Sequence, residues 1–180
     1  RWYASVTVVC SPKRRSGTKA IALDWDIFTY VTAVDSNGHV ERFENLRHGK
    51  KYEDRLCAAQ QALSKKQRGS KGRHKARIVV SRIHAKISRK RHETAHQTSA
   101  RLVAQSALLA SEKLNVKGMT RTAKGTIENP GKNVAQKAGL NRSILDTTPS
   151  TLVKMIRCKA EEAGSAWVDV PTRKVKPSQT

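Results

Sequence analysis

The fold is decided by residues 19–43, which read KAIALDWDIFTYVTAVDSNGHVERF. Apolar and polar residues alternate along most of this stretch with a period of two, which is typical of β-strands that bury one face. Ser36, Asn37 and Gly38 interrupt the alternation, and an Asn-Gly pair between two such runs is a strong hairpin signal. The stretch therefore predicts three consecutive strands from Lys19 to Phe43, with a tight turn between the last two.

The apolar period changes to between three and four after about Leu46, which predicts a helical hairpin over about residues 46–101. The loop from Gln67 to Gly72 separates its two arms. The first arm has its apolar stripe at Leu46, Leu56, Ala59 and Leu63, and the second at Ala76, Val79 or Val80, Ile83 and Ile87. The second arm also carries cations around this narrow stripe, namely Lys75, Arg77, Arg82, Lys86, Arg89, Lys90 and Arg91.

The last part of the chain predicts a return to strands, with helices between them. The predicted elements are a strand from Leu102 or Ala107 to Ser111, an irregular segment over 115–132, short helices around 134–138 and 142–145, an amphipathic helix from Pro149 to Ala163 that stops at Gly164, and a strand from Ala166 to Val170. This order of elements predicts an α/β domain of the RNase H-like type, with a mixed sheet and an inserted basic helical hairpin.

Two acidic residues lie in apolar surroundings that do not favour them. Asp24 lies within the first apolar strand, and Glu112 directly follows the apolar run from Ala107 to Ala110. Two carboxylates in such positions are costly to bury unless a positive charge lies between them. We therefore predict that Asp24 and Glu112 hold a divalent metal ion, Mg²⁺ or Mn²⁺, that acts on a phosphodiester. Asp26, Asp146 and Asp169 are alternatives for a third carboxylate.

The charge of the chain indicates a polyanionic partner. There are 36 Lys and Arg against 14 Asp and Glu, a formal net charge of +22 that is concentrated between Arg47 and Arg101. Such a charge favours nucleic acid. We expect no membrane as partner, because no apolar run approaches the roughly 20 residues of a transmembrane helix. We also expect no small-molecule substrate. Cys10, Cys57 and Cys158 are too far apart for a disulfide framework or a zinc knuckle, which favours a reducing cytoplasm.

A competing motif lies in the second helical arm. Residues 92–96 read HETAH, which matches the His-Glu-x-x-His pattern of zinc metalloproteases. Arg89, Lys90 and Arg91 directly precede it and would repel a dication. The preferred interpretation is a histidine pair on a helix that faces nucleic acid.

These motifs together resemble the central part of the TnpB (OrfB) proteins, transposon-encoded RNA-guided nucleases related to the type V CRISPR effectors. The resemblance covers nearly the whole chain. It includes the strand from Trp2 to Val9, the first RuvC motif around Asp24, the basic segment 63–73, the helix around 82–84, the second RuvC motif at Glu112 with residues 114–119, residues 141–144 and the terminal residues 178–180.

The resemblance implies three regions and a set of site residues. Residues 1–11 would end a wedge (oligonucleotide-binding) domain, residues 12–18 would be a linker, and residues 19–180 would form the RuvC-like nuclease domain. Asp24 and Glu112 would be the catalytic metal ligands, and guide RNA and DNA the partners, in the cytoplasm of a prokaryote and associated with the nucleoid. The nucleic-acid contacts predicted from the resemblance and the charge pattern are Lys65, Lys66, Arg68, Lys71, Arg73, Lys75, Arg82, Lys86, Arg89, Lys90 and Lys117.

The sequence departs from this family at two places. Ala22 and Asp26 stand where the family usually has glycine, which puts the turn after Asp24 in question. In the family, a segment like 178–180 leads into a Cys-x-x-Cys zinc ribbon and then a third catalytic aspartate. Zn²⁺ is therefore expected only in that ribbon, and the carboxylate site in this chain is expected to be incomplete. A module that binds guide and target without cutting is therefore an open alternative, and a general RNA-binding protein of ribosomal type is a weaker one.

Overall fold

The computed structural model describes residues 4–9 and 14–171. At its centre is one mixed sheet in the order β3-β2-β1-β4-β5. The strands are β1 (Lys19–Asp26), β2 (Tyr30–Asp35), β3 (Val40–Phe43), β4 (Ser106–Glu112) and β5 (Ala166–Val170). β1, β2 and β3 are antiparallel, whereas β1, β4 and β5 run parallel to one another. The predicted class, an α/β domain with a mixed sheet, is confirmed.

Six helices lie within the described residues. They are α1 (His48–Lys51), α2 (Glu53–Ser64), α3 (Lys71–Gln105), α4 (Val116–Met119), α5 (Val134–Thr147) and α6 (Pro149–Ala163). α2 packs against the first half of α3 to form the hairpin, and the second half of α3 packs against α6. No helix in residues 4–9 and 14–171 has the length and apolar character needed to cross a membrane.

The hydrophobic core lies between one face of the sheet and the helices α3 and α6. Ile21 and Leu23 of β1 and Leu109 of β4 are buried there against Leu102 of α3 and Ile156 of α6. The alternate positions of the strands face the other way, as the period of two requires. On that second face Ala22, Val34, Val40 and Val168 are exposed.

The helical periodicity predicted the position of the hairpin correctly but not the exact ends of its helices. α3 continues to Gln105 as one helix of 35 residues and ends where β4 begins. Val80 rather than Val79 continues the buried stripe, since Val79 is 46% exposed. Ser70 accepts a hydrogen bond from the Arg73 amide and so fixes the start of α3.

Three predictions of secondary structure are wrong. The segment 115–132, predicted to be irregular, contains the short helix α4. Residues 4–9 of the predicted strand from Trp2 to Val9 form no strand and are exposed, because a strand requires a hydrogen-bonded neighbour and these residues have none within the described chain. Residues 2–3 lie outside the described residues, as do residues 10–13, which include the first two residues of the predicted linker. The two short helices predicted around 134–138 and 142–145 are a single helix, α5, since Gly139 does not interrupt it.

The β2–β3 turn gives a prediction of pH dependence. The Asp35 carboxylate accepts hydrogen bonds from Lys19 Nζ at 2.7 Å and from the amides of Asn37 and His39 at 3.0 Å. The contact with Lys19, then the two amides, hold the pKa of Asp35 below its ordinary value of 3.8, although burial opposes them.

A carboxyl group with a lowered pKa in the folded state stabilises the fold above its unfolded pKa, and this contribution is lost as the pH falls through the folded pKa. We therefore expect Asp35→Asn to lower the melting temperature at pH about 7 and to differ less from the parent chain at pH about 3. Glu128→Gln, an exposed loop change, is the control. A deficit of the same size at both pH values would contradict the role given to the ionised carboxylate.

Candidate active site

The parallel pairing of β1 and β4 brings Asp24 and Glu112 together. Leu23 and Ser111 are paired across the two strands, and both are buried on the core face. Asp24 and Glu112 are the next residue on each strand, so both point to the opposite face, near the carboxyl edge of the sheet. Asp24 is exposed and Glu112 is partly buried. The structure thus places side by side two residues that are 88 positions apart in sequence.

The two carboxylates influence each other electrostatically. Burial, and then the negative charge of Asp24, raise the pKa of Glu112 above its ordinary value of 4.5. Within residues 4–9 and 14–171, neither side chain takes part in an ion pair. A cation between them would relieve this repulsion, and paired carboxylate oxygens are the ligands that Mg²⁺ and Mn²⁺ prefer. The donor set therefore fits a divalent metal ion.

None of the three alternatives for a third carboxylate joins this pair. Asp26 accepts a hydrogen bond from the Thr29 amide at 3.1 Å and so closes the β1–β2 turn, at one of the positions where the family usually has glycine. The described residues contain no group of three or more His, Cys, Asp and Glu side chains arranged to hold a metal.

The other two alternatives are bound elsewhere. Asp146 accepts hydrogen bonds from the Gly49 amide at 2.7 and 2.9 Å and from Arg91 Nε at 2.7 Å, so it ties α5 to α1 and α3. Asp169 is paired with Ser111 across β4 and β5, and it therefore faces the core side of the sheet, opposite Glu112. It accepts hydrogen bonds from Arg157 and from Trp167 Nε1.

The His-Glu-x-x-His motif is on α3, and its contacts do not support a zinc site. Glu93 forms an ion pair with Lys90 at 2.9 Å. The positive charge of Lys159, followed by burial, lowers the pKa of His96. The motif borders a cavity of ≈ 420 Å³, and the positively charged Arg89 borders the same cavity. Arg89 would repel a dication bound there. The described residues also supply no third ligand for it.

Most of the predicted nucleic-acid contacts form an exposed basic surface on the hairpin. Lys65, Lys66, Arg68, Lys71, Lys75, Arg82, Lys86, Arg89 and Lys90 are exposed on or between α2 and α3, and Lys117 is exposed on α4. Arg73 is different, because its Nη1 donates to the carbonyl oxygens of Leu63 and Lys66, each at 3.1 Å, and so ties the two arms together. Lys90 is partly neutralised by Glu93.

A second cavity next to Glu112 contains cations that the sequence did not single out. It has a volume of ≈ 420 Å³ and is bordered by Lys113, Lys154 and Arg157 as well as by Glu112 itself. Lys154 and Arg157 lie one turn apart on α6, a spacing that puts both on one helix face. Sequence spacing alone could not show that this face meets the end of β4.

The sequence of the chain is similar to those of known proteins. The model of the OrfB_IS605 family, described as "Probable transposase", matches residues 4–123. The chain is 32% identical over 149 residues to a protein of Escherichia coli K12 named "Putative RNA-guided DNA endonuclease InsQ", covering 81% of this chain and 36% of that protein. It is 34% identical over 128 residues to a protein of Streptomyces pristinaespiralis named "Putative RNA-guided DNA endonuclease", covering 69% of this chain and 30% of that protein.

The matched family segment includes both carboxylates, β1 to β4 and the whole basic hairpin. The chain spans about a third of the length of these two relatives. It belongs to the OrfB (TnpB) family of transposon-encoded proteins.

Proposed function

We propose that this chain is the RNase H-like (RuvC) part of an RNA-guided DNA endonuclease and that Asp24 and Glu112 hold its catalytic Mg²⁺ or Mn²⁺. The observation that carries the proposal is the placement of the two carboxylates at adjacent register positions on one face of the sheet. The names of the two relatives support the activity and the nature of the guide and the target. Ligand sites of open α/β sheets lie at this carboxyl edge of the parallel strands.

The metal would activate the attacking water and stabilise the charge that develops on the oxygens of the cleaved phosphodiester. Asp24 is exposed and is therefore accessible to a metal ion at the surface of the sheet. Glu112 is partly buried and is held by the pairing of β4 with β5. We expect it to be the more rigidly placed of the two ligands.

The basic surface of α2 and α3 supports binding of the guide RNA and the DNA. Its exposed lysines and arginines follow a hairpin that leads directly into β4 and thus into the carboxylate pair. Few aromatic residues are present, 4% of the chain, so contacts to the phosphate backbone should dominate affinity over base stacking. Binding should then weaken steeply as the salt concentration rises.

One observation favours a second candidate, a protein that binds guide and target without cutting. The described residues bring together two carboxylates, whereas full charge balance at a two-metal site requires a third. This candidate shares the fold, the family and the basic surface with the first. The two differ only in the chemistry at Asp24 and Glu112.

Metal-dependent cleavage distinguishes the two candidates. The protein is isolated with the RNA that it retains and is incubated with single-stranded and double-stranded DNA that carries the complement of that RNA. We expect cleavage with Mg²⁺ or Mn²⁺ and none with EDTA, because the phosphodiester needs the metal. DNA that is bound tightly in both conditions and cut in neither would refute the nuclease and establish the binding module.

A further inference from the structure

The segment that follows Glu112 is held at its far end by α5. Lys137 Nζ donates a hydrogen bond to the carbonyl oxygen of Met119 at 2.6 Å, and Asn141 Nδ2 donates to the carbonyl oxygen of Thr120 at 2.9 Å. Lys137 and Asn141 are four positions apart on α5, a spacing that puts both on one face of the helix. We call these two contacts the α4 clamp.

α4 needs such support because it is too short to be stable alone. It has four residues, and a single turn forms too few hydrogen bonds to offset the entropy lost when its backbone is ordered. The side chain of Asn115 accepts a hydrogen bond from the Gly118 amide at 3.0 Å and so begins the turn. The α4 clamp binds carbonyl oxygens at the other end, where a helix has no backbone partners of its own for them. The position of α4 is therefore set by α5.

Asn141 is half-buried, and the groups that it faces fix its orientation. The carbonyl oxygens of Thr120 and Arg121, at 2.9 and 3.4 Å, can only accept hydrogen bonds, so the amide nitrogen of Asn141 must point at them. Its Oδ1 is then buried and has no hydrogen-bond partner among the residues that the structure describes. A buried acceptor without a partner lowers stability. Stability alone therefore does not account for an asparagine at this position.

The other end of α5 is anchored to the base of the basic hairpin. Asp146 accepts hydrogen bonds from the Gly49 amide of α1 and from Arg91 Nε of α3, each at 2.7 Å. Ile144 and Thr147 of the same helix are buried. The α4 clamp therefore has a fixed support.

Glu112 is at the end of β4, where the strand is held less well than in its middle. The pairing of β1 with β4 ends at Leu23 and Ser111, whereas β5 still pairs with Glu112 through Val170. The next amide, that of Lys113, donates to the Val170 carbonyl oxygen at 3.3 Å, which is long for such a bond. Three residues separate Glu112 from α4. The position of α4 therefore influences where the end of β4 lies.

We propose that Lys137 and Asn141 are positioning residues that fix the end of β4, and with it Glu112, through α4. The catalytic part of this inference rests on the proposed function, in which Glu112 and Asp24 hold one metal ion. Mg²⁺ demands near-ideal geometry with ligands at roughly 2.0–2.1 Å, so a displaced carboxylate would coordinate it poorly. A misplacement of about 1 Å can slow a reaction by about a hundredfold.

Amide hydrogen exchange, measured by NMR in EDTA, tests the structural step without metal or cleavage. Lys137→Met removes the donor and keeps most of the aliphatic side chain. We expect the Lys113 amide to exchange at least about tenfold faster in this variant, because the end of β4 would open locally more often. The amides of residues 108–110, in the middle of β4, should exchange at the parental rate. Unchanged exchange at Lys113, or an equal increase at all of these amides, would overturn the inference.

Arg142→Met is the matched control, because it removes the same charge from an exposed residue of α5 outside the α4 clamp. The Lys113 amide should exchange at the parental rate in this control. Asn141→Leu is a second variant of the clamp, and it should fold because it removes the unpaired Oδ1 together with the donor. It should also speed exchange at Lys113. Equal effects of Arg142→Met and Lys137→Met would mean that only charge matters and would overturn the inference.

Cleavage of DNA with Mg²⁺ tests the catalytic step. Lys137→Met and Asn141→Leu should lower kcat by about tenfold or more and leave KM for DNA within about twofold, because they would displace Glu112 and leave the basic surface intact. A higher KM with unchanged kcat would overturn the inference.

The two tests also separate this inference from the proposed function. Faster exchange at Lys113 in a protein that cuts DNA with no metal would refute the proposed function and leave the positioning of Glu112 by the α4 clamp standing. Metal-dependent cleavage that needs Asp24 but is unchanged in both clamp variants would do the reverse.

Discussion

Asp24→Asn is expected to reduce metal-dependent DNA cleavage by about a thousandfold or more, since a metal at such a site is worth several kcal/mol of transition-state stabilisation. The substitution keeps the shape of the side chain and removes the negative charge that attracts the dication. Asp24 is exposed and outside the core, so the fold should tolerate the change. Cleavage rates with Mg²⁺ and Mn²⁺, together with the Mn²⁺ affinity measured by electron paramagnetic resonance, check the expectation.

Glu112→Gln should have a similar effect, because the two carboxylates are adjacent and, in the proposed site, would hold the same ion. Asp54→Asn and Glu128→Gln are the matched controls, since both change an exposed acid by the same single charge outside the carboxylate pair. If Asp24→Asn binds Mn²⁺ as tightly as the parent chain, Asp24 is not a ligand. If it loses Mn²⁺ but cleaves at the parental rate, the metal is not catalytic.

The same substitutions separate function from stability. In the absence of metal, burial and the Asp24 charge disfavour the ionised form of Glu112. Removing either charge should therefore leave the metal-free fold as stable as before or slightly more stable. Adding Mn²⁺ should stabilise the parent chain and neither variant, because a ligand that binds only the folded state raises its stability. Both results together would indicate that the two carboxylates serve to bind a metal ion.

The strands were predictable because each shows a local pattern. The alternation of buried Ile21 and Leu23 with exposed Ala22 and Asp24 is visible in the sequence and is confirmed by the structure. The helix from Pro149 to Ala163 and the strand from Ala166 to Val170 were predicted with their observed bounds, since a proline, a glycine and a change of period mark them.

The sequence predicted an incomplete site, but it could not show that Asp146 and Asp169 are bound elsewhere, because this depends on contacts between distant residues. Asp146 is held by Gly49, 97 positions away, and by Arg91, 55 positions away. Asp169 faces away from Glu112 only because of the register between β4 and β5. Arg73 has the charge of its neighbours on the hairpin, and only the structure shows that it binds the carbonyl oxygens of Leu63 and Lys66 instead of being exposed.

Leu109→Ala is expected to lower the free energy of unfolding by about 3 kcal/mol, within the roughly 2–5 kcal/mol typical of fully buried leucines. Leu109 is 0% exposed and lies on β4 between β1 and β5, where its neighbours across the strands are Ile21 and Trp167. The truncation would leave a cavity between the sheet and the helices α3 and α6, which the paired strands on both sides of β4 could not close. Urea denaturation followed by circular dichroism measures the change.

Leu145→Ala is the matched control, because Leu145 is 52% exposed on α5 and should cost less than about 1 kcal/mol. A loss at Leu109 no larger than at Leu145 would mean that Leu109 is not packed in the core between the sheet and the helices α3 and α6. This strand matters for function as well as for stability, since Glu112 follows Leu109 by three residues and adjoins Asp24 only while β1 and β4 stay in register. Because a folded Leu109→Ala chain keeps that register, it should still bind Mn²⁺, whereas Asp24→Asn should fold and fail to bind it.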